Sequence, residues 1–530
     1  MILVRNLRLE IGDSEEKLMK KAAKELRISE ADIVGMKLTK KSLDARKKSD
    51  LHYTYAVAVS VRGSEEKTVE RAKSKNVCVY EEFVYDIPRL KCEKRPVIVG
   101  FGPAGMFAAL VLSKAGLRPI VLERGCDAAT RAEKVEAFRN GGELDTECNV
   151  QFGEGGAGTF SDGKLNTGIK DKRISWMLKM FVEYGAPEHI LWDSKPHIGT
   201  DILINVVQNI RKTVIANGGE VRFNHKLTKL LLDGNRLCGI EVESAGESYV
   251  LDCDSVILAI GHSSRDTFEM LNDMGVPMEP KDFSMGVRIE HKQRDINIAQ
   301  YGADIPELPA ADYSLNVHLP DGTSAYTFCM CPGGEVFAAA SEAGGVCTNG
   351  MSRSRRDGEN ANAALLVTLH KEDFPYAGTL GGMYWQRDIE RRAFEYGNDY
   401  KAPAQTVGDF LNHRPTTEQG SVTPSYRPGV HYCDLHEVLP ERITSVMENA
   451  LPELGKKLRG FDSPEAVMTA PETRSSSPVR ILRNENRMSE IRGLYPCGEG
   501  AGYAGGITSA AVDGMKCAES LMEGCLDTLP

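Results

Sequence analysis

Gly100, Gly102 and Gly105 stand at the spacing G-x-G-x-x-G, directly after the β-branched run Val97-Ile98-Val99. The chemistry this spacing supports is capture of an anion by main chain. Gly100 permits a tight turn, Gly102 lets backbone approach a pyrophosphate, and Gly105 lets a helix pack closely on a strand. Pro103 and Ala104 would open that helix, whose first N–H groups lack intrahelical partners and favour an anionic contact by roughly 0.3 to 1 kcal/mol. A carboxylate with a complementary task follows. Glu123 closes the second apolar run, Ile120-Val121-Leu122, where it can accept hydrogen bonds from an adenosine ribose and repel a 2′-phosphate.

The same glycine spacing recurs at Gly153-Glu-Gly155-Gly-Ala-Gly158 and at Gly500-Ala-Gly502-Tyr-Ala-Gly505. Neither copy is followed by the helix, strand and acid that complete a dinucleotide fold, so one such fold is expected. Both copies suit another use. Between Cys148 and Lys164 so many glycines leave little side chain to pack, which fits backbone passing close to a flat ligand such as a flavin, with Asp162 or Lys164 near its ring. From Gly493 to Gly514 the pattern reads as a short strand, a glycine loop and a helix beginning near Ile507. That helix start would favour negative charge on a flavin edge. Two further groups could do chemistry: the pair Cys329-Met-Cys331, read as small strand residues or as a redox or proton-donor site, and Arg474, able to hold an anionic substrate.

These residues need an α/β frame. Residues 96–270 read as a Rossmann-like dinucleotide-binding domain, with an amphipathic helix from Asp201 to Ala216 and a three-stranded meander from Lys226 to Cys253. The strand Ser255 to Gly261 leads out of it. Residues 271–487 read as an inserted α+β substrate and cap domain, with helices expected at Glu359 to His370, Trp385 to Tyr396 and Ala404 to Asn412. No His/Asp cluster of metal type is read there, and no metal is expected. Residues 488–530 return to the nucleotide domain. In front, residues 1–90 show the order β-α-β-β-α-β of a ferredoxin-like α+β module, ending in a strand from Val77 to Val84.

The 530 residues carry a formal net charge of -10, unevenly spread: 22 Lys/Arg against 16 Asp/Glu before residue 96, and 43 against 59 after it. The basic loop Lys37 to Lys48 is the main electropositive feature. The 13 cysteines are odd in number, scattered and without a C-x-x-C pair, which argues against a disulfide framework, a zinc ribbon or an iron–sulfur site. The first residues lack a signal-peptide pattern, and no apolar run reaches the roughly 18 to 20 residues of a membrane span, so a cytoplasmic protein without membrane partners is expected.

The stretches Gly100 to Glu123, Ala259 to Gly261 and Tyr495 to Gly506 resemble the FAD-binding signature of the glutathione-reductase-type flavoprotein superfamily. The runs Gln151 to Lys164, Phe328-Cys-Met-Cys-Pro-Gly-Gly and Glu472-Thr-Arg474-Ser-Ser-Ser-Pro resemble more closely a bacterial family of FAD-dependent dehydrogenases of unknown substrate, over nearly the whole chain. The resemblance implies bound FAD and hydride exchange between flavin N5 and a small organic substrate. The implied FAD-binding set is Gly100, Gly102, Pro103, Ala104, Gly105, Glu123, Arg124, Gly155, Gly156, Thr159, Leu227, Ala259, Gly261, Gly498, Glu499, Gly505, Gly506 and Ile507, with Glu499 on a ribityl hydroxyl. Lys164 or Cys331 is assigned proton transfer and Arg474 the substrate anion. Other members of that superfamily carry a second nucleotide fold, which this chain lacks. Electrons would therefore come from transient NAD(P)H or from an electron-donor protein. The alternative reading is an RNA-associated flavoprotein using the basic front module, although nucleic acid is not the expected partner.

Overall fold

Five short strands make a parallel sheet, four of them without a charged residue inside. The computed structural model describes residues 1–526. The strand order is Leu494–Pro496, Val256–Leu258, Val97–Val99, Ile120–Glu123 and Glu220–Phe223, all parallel. The helix Pro103–Lys114 is buried from Ala104 to Ser113 because it is covered twice, by the sheet and by the last helix, Ile507–Leu526. A helix apolar all round can only sit in such a place. The two helices touch at backbone level: a Cβ on Gly514 would stand 2.0 Å from the carbonyl oxygen of Ala104. Thr200–Ala216 packs beside them through Leu203, Val207 and Ile210. The meander Lys226–Asp233, Arg236–Ser244, Glu247–Asp252 forms its own three-stranded sheet.

A seven-stranded sheet stands over this one. Its order is Asn316–His318, Ser324–Cys331, Asn360–Leu369, Phe283–Lys292, Val467–Glu472, Ala402–Thr406 and Val430–Tyr432. The helices Gly381–Gly397 and Glu441–Lys457 cover it, and Met285, Val287, Leu365, Ile389, Met447 and Leu451 share its core. Two sequence expectations are corrected here. Residues 359–370 form no helix but the strand Asn360–Leu369, hydrogen-bonded on both sides, because a run that is apolar on every face has no period to distinguish the two. Residues 404–412 divide into the strand Ala402–Thr406 and a five-residue helix, Val407–Leu411. The helix Glu441–Lys457 had no counterpart in the sequence reading.

The front residues form a four-stranded antiparallel sheet, ordered Ile33–Asp44, His52–Val61, Ile2–Glu10, Val77–Val79, with the helices Lys17–Leu26 and Glu65–Ala72 packed on it. The last strand stops at Val79 rather than reaching Val84. Part of the basic hairpin is engaged within the molecule. Lys41 exchanges backbone hydrogen bonds with Trp192 and Ser194 and pairs with Glu15 at 2.9 Å, while Lys37 pairs with Glu82. Residues 80–96 carry no regular structure and run across the last helix, where Tyr85 donates to Glu519 at 2.6 Å. A disulfide joins Cys92 to Cys525 there, with Cα atoms 6.1 Å apart. Sequence spacing held no signal for it, since its partners are 433 residues apart.

Candidate functional site

A cavity of about 390 Å³ opens where the carboxyl ends of the central parallel strands meet the seven-stranded sheet. Val99 and Gly100, Ala259 to Gly261, and Cys497 and Glu499 form its floor; Phe328, Cys329, Asn349, Glu472 and Arg474 come from above. In an open parallel sheet this is the position ligands take.

Steric fit explains most of the glycines around it. Gly100 has φ +97°, and a Cβ there would stand 2.2 Å from the Ala259 carbonyl oxygen; a Cβ on Gly105 would stand 1.9 Å from the Gly100 carbonyl oxygen. These two positions hold strand, turn and helix together. Gly102 and Gly156 approach each other across the turn: with φ +61° at Gly156, its Cβ would lie 2.9 Å from Gly102 Cα. The Gly153–Gly158 stretch therefore rests on the start of the first helix. Arg131 fixes that stretch from behind. Its guanidinium is fully buried and donates to the carbonyl oxygens of Asn149, Val150, Gly153, Glu154 and Gly156. Burial without a carboxylate partner lowers its pKa to about 10.

Glu123 lines the cavity, as expected, but already has work within the chain. Its carboxylate accepts the backbone N–H groups of Phe101 at 2.8 Å and of Gly125 and Gly153, each at 2.9 Å. It thus ties three turns together, and a ribose would share it. Arg124 lies in the wall, stacked 4.1 Å from the Phe152 ring centre and paired with Glu147 and Asp266 at 2.8 Å. Leu227 and Ile507 also face the cavity. Gly105, Gly155, Thr159 and Gly498, expected to bind cofactor, stand behind the wall instead. Gly155 is required by Thr159, whose Oγ1 would meet its Cβ at 1.9 Å, and the N–H of Gly498 donates to Asp513 at 2.8 Å.

Gly261, Gly505 and Gly506 line the cavity, and a Cβ on any of them would meet no protein atom within 4 Å; φ of +70° and +90° accounts for glycine at Gly261 and Gly506, so Gly505 is the one that the protein itself does not explain and that bears on whether these residues fit an FAD. With two helix starts beside them, at Pro103 and Ile507, they form a flat-walled cradle with anion-favouring ends, which fits a dinucleotide carrying a planar ring. A Gly505→Ala variant is expected to unfold at the wild-type temperature and to bind FAD about tenfold more weakly, measured by flavin fluorescence titration. Unchanged affinity would show that no ligand touches that wall.

The polar groups divide into those held by the chain and those facing the cavity. Lys164 is in the wall, its Nζ 3.9 Å from Asp162, which is buried and ion-paired with Arg356. Arg474 reaches the wall, but its fork is occupied. It donates to Glu390 at 2.9 and 2.7 Å and to Ser341, so the anion it holds is Glu390. Arg265 donates to the same carboxylate at 2.9 and 2.8 Å. Cys331 is not in the wall. A bulge between Phe328 and Cys331 turns Cys329, at φ +42°, toward the cavity and leaves Cys331 fully buried behind it. The expected roles of Arg474 and Cys331 are corrected accordingly. His262 also lines the cavity; burial, with Arg474 and Arg265 nearby, lowers its pKa to about 4, so its imidazole is neutral.

Sequence reasoning passed over Glu472. It lies in the wall almost wholly buried, 3.5 Å from Arg288, and its Oε2 has no hydrogen-bond partner among the described residues. Burial raises its pKa to about 7, with the Cys331 charge adding and Arg288 opposing. Glu499, in the floor, is raised by burial to about 7 as well. The folded chain therefore keeps protons on both groups that the unfolded chain releases above about pH 4.5. Stability should fall as pH rises from about 4.5 to 7, and Glu472→Gln should flatten part of that slope in urea unfolding followed against pH. An unchanged slope would place the Glu472 titration elsewhere.

Two clusters among the described residues have metal-ligand composition, contrary to the sequence expectation. In Cys497, Asp513 and Cys517 the cation is already present, since Arg483 pairs with Asp513 at 2.7 Å. The other, His413, His436 and Glu448, is assembled on the cap surface from residues spread over 36 positions, with His436 Nδ1 2.6 Å from Asp434.

Residues 282–475 match the family model of the FAD-dependent protein, C-terminal domain-like, and residues 1–60 match a domain of unknown function, DUF8436. An uncharacterized protein of Clostridium beijerinckii (strain ATCC 51743 / NCIMB 8052) is 46% identical over 532 residues, covering 98% of both chains. Among solved structures, a triple mutant of the flavin-dependent brominase Bmp2 gives TM-score 0.38 at 12% identity, over 82% of this chain and 81% of its own. A single-site mutant of the E. coli quinol fumarate reductase subunit FrdA gives TM-score 0.38 at 13% identity, over 83% and 72%. The chain belongs to one family with the Clostridium beijerinckii protein, and within it residues 282–475 carry the match to the FAD-dependent protein, C-terminal domain-like.

Proposed function

We propose that this chain is a flavin-dependent oxidoreductase that exchanges hydride with a small organic substrate lodged between the parallel sheet and the cap. One observation carries the reading: two helix starts, an ammonium and a carboxyl group with a pKa of about 7 converge on one cavity. FAD would be held by the Gly100–Gly105 turn, Gly156, Ala259 to Gly261 and the Gly505–Ile507 helix start, and when bound it supplies the two-electron chemistry. The chain supplies the rest. Lys164 places a positive charge in the wall and can orient a carbonyl or carboxylate oxygen of the substrate. Glu472 can hold or release a proton near neutral pH at its Oε2, which suits a general acid or base. Neutral His262 adds a hydrogen-bonding group without charge. Arg265 and Arg474, both paired with Glu390 and the first also with Glu342, keep the wall rigid.

Among the described residues there is one five-stranded parallel sheet and no second nucleotide fold. NAD(P)H would therefore visit as a transient donor, or an electron-transfer protein would take its place, docking on the front module. Anaerobic stopped-flow mixing of the yellow protein with NADH and with NADPH tests this. Rapid bleaching by one of them is expected. No bleaching by either would remove pyridine nucleotides as donor, and a protein purified without flavin would sink the reading. No helix among the described residues is long and apolar enough to cross a membrane.

A further inference from the structure

We propose that His413, His436 and Glu448 bind one divalent ion of the zinc class on the cap surface, with Asp434 holding His436 in the ligating tautomer. None of these four residues lines the cavity, so the site stands apart from the flavin reading.

Three separate segments meet there. His413 follows the short helix Val407–Leu411, His436 lies in the turn of helix Leu435–Val438, and Glu448 stands in the helix Glu441–Lys457. One carboxylate oxygen, Glu448 Oε1, faces both imidazoles, with His436 Nε2 at 2.7 Å and His413 Nε2 at 3.1 Å. The three donor groups can bring their ligand atoms within 4.8 Å of one another. Zinc bonds of about 2.0 to 2.2 Å in a tetrahedron place donors about 3.4 Å apart. Small outward shifts meet that spacing, and His413, 65% exposed, has room to make its own.

The proton positions call for a cation. A neutral imidazole carries one N–H and one lone pair, whereas an ionised carboxylate only accepts. His436 Nδ1 lies 2.6 Å from Asp434 Oδ1, a contact that puts the proton on Nδ1. The neutral ring then turns the Nε2 lone pair toward the Glu448 carboxylate, a repulsive approach unless positive charge lies between them. Two carboxylates face the two rings, and one dication balances both. Among the described residues no lysine or arginine pairs with either, and Arg414, next to His413, is engaged with Asp409 at 2.7 Å. The rival occupant is a second proton on His436.

The surroundings prepare the ligands. The Phe410 ring stacks on His436 with centroids 4.4 Å apart and planes 11° apart, and His413 stacks on it at 4.6 Å. Asp434 sets the tautomer from behind, as carboxylates do for metal-bound histidines. Two imidazole nitrogens and one carboxylate oxygen suit zinc and its neighbours in the series; magnesium and calcium prefer oxygen throughout. A fourth position is left to water. The ion would tie two helices to the start of the irregular residues 412–429, whose Ser425 donates to the buried Glu290.

The test uses tag-free full-length protein, stripped with EDTA, dialysed and titrated with zinc chloride against a chromophoric chelator. One zinc per chain is expected, with a Kd of about 1 μM or tighter. His413→Ala should weaken binding at least about 100-fold and Asp434→Asn about 10- to 100-fold. His413 is exposed, so its loss leaves the fold standing, and Glu448→Gln reports in place of Asp434→Asn if that variant fails to fold. Cobalt(II) should give the d–d bands of a four-coordinate site without the thiolate charge-transfer band that Cys497 and Cys517 would produce. Zinc should raise the urea midpoint of the wild type and leave that of His413→Ala unmoved. Protein that takes up no zinc at about 100 μM overturns the proposal and leaves the second proton on His436. Uptake that His413→Ala leaves unchanged, or that is confined to thiolate ligands, overturns it too. The flavin reading survives each of these results.

Discussion

Gly100→Ala should give a colourless protein. Any side chain at this position must adopt φ +97°, which costs a non-glycine residue about 1 to 2 kcal/mol, and its Cβ must occupy a point 2.2 Å from the Ala259 carbonyl oxygen and 2.9 Å from the carbonyl carbon. These obstacles are backbone, so no side chain can turn away to make room. The ends of the strands Val97–Val99 and Val256–Leu258 must separate, and with them the turn proposed to meet the pyrophosphate and the segment Ala259 to Gly261. FAD affinity should drop at least about 100-fold, which is about 3 kcal/mol. The ratio of flavin to protein absorbance after purification reads this directly. A variant that keeps a full complement of flavin would show that the turn does not carry the cofactor.

Glu390→Gln should cost more stability than any other single polar substitution in the cap. Glu390 is buried, accepts four bonds from the guanidinium groups of Arg265 and Arg474, and takes a fifth from Thr473 Oγ1 at 2.6 Å. Although burial alone would raise its pKa, the two arginines hold it well below the usual carboxylate range. An amide of the same shape leaves Arg474 buried without a carboxylate and Arg265 with Glu342 alone. Breaking a buried pair in this way costs about 3 to 5 kcal/mol. Arg387→Ala provides the contrast, because Arg387 pairs with Glu342 and Glu269 at a partly exposed site where such a pair is worth about 1 kcal/mol or less. Urea unfolding of both variants separates the two cases, and a Glu390→Gln loss no larger than that of Arg387→Ala would mean that the network is hydrated.

What the sequence made legible was local. The strand, turn, helix and acid from Val97 to Glu123 form one contiguous unit in which Gly100 and Gly105 are required by backbone packed against them, and the structure shows each element in place. The meander and the front module have clean alternation, Ser64 caps the helix Glu65–Ala72, and their elements appear in the expected order. The cap was harder because its central strands are buried on both faces. Asn360–Leu369 reads equally well as a helix until its two neighbours are known. The candidate site failed in the same way. Cys331 was preferred to Cys329 because alternation cannot reveal a bulge, and Arg474 was offered to a substrate because Glu390 lies 84 positions away. Glu472 stood in a motif already noticed, yet its significance is its burial and an unsatisfied oxygen, neither of which a sequence displays.

The Cys92–Cys525 bond closes the chain into a covalent ring. Every strand of the parallel sheet, the whole cap and every residue of the cavity wall belong to that ring, whereas the four-stranded front module lies outside it, joined covalently only through residues 80–91. A cut at any one loop of the ring opens it without releasing a fragment. A cut in the irregular residues 80–91 frees the front module in one piece. Limited proteolysis without reductant would therefore sort the molecule by topology: one detachable part, and one body that stays a single covalent molecule even when nicked.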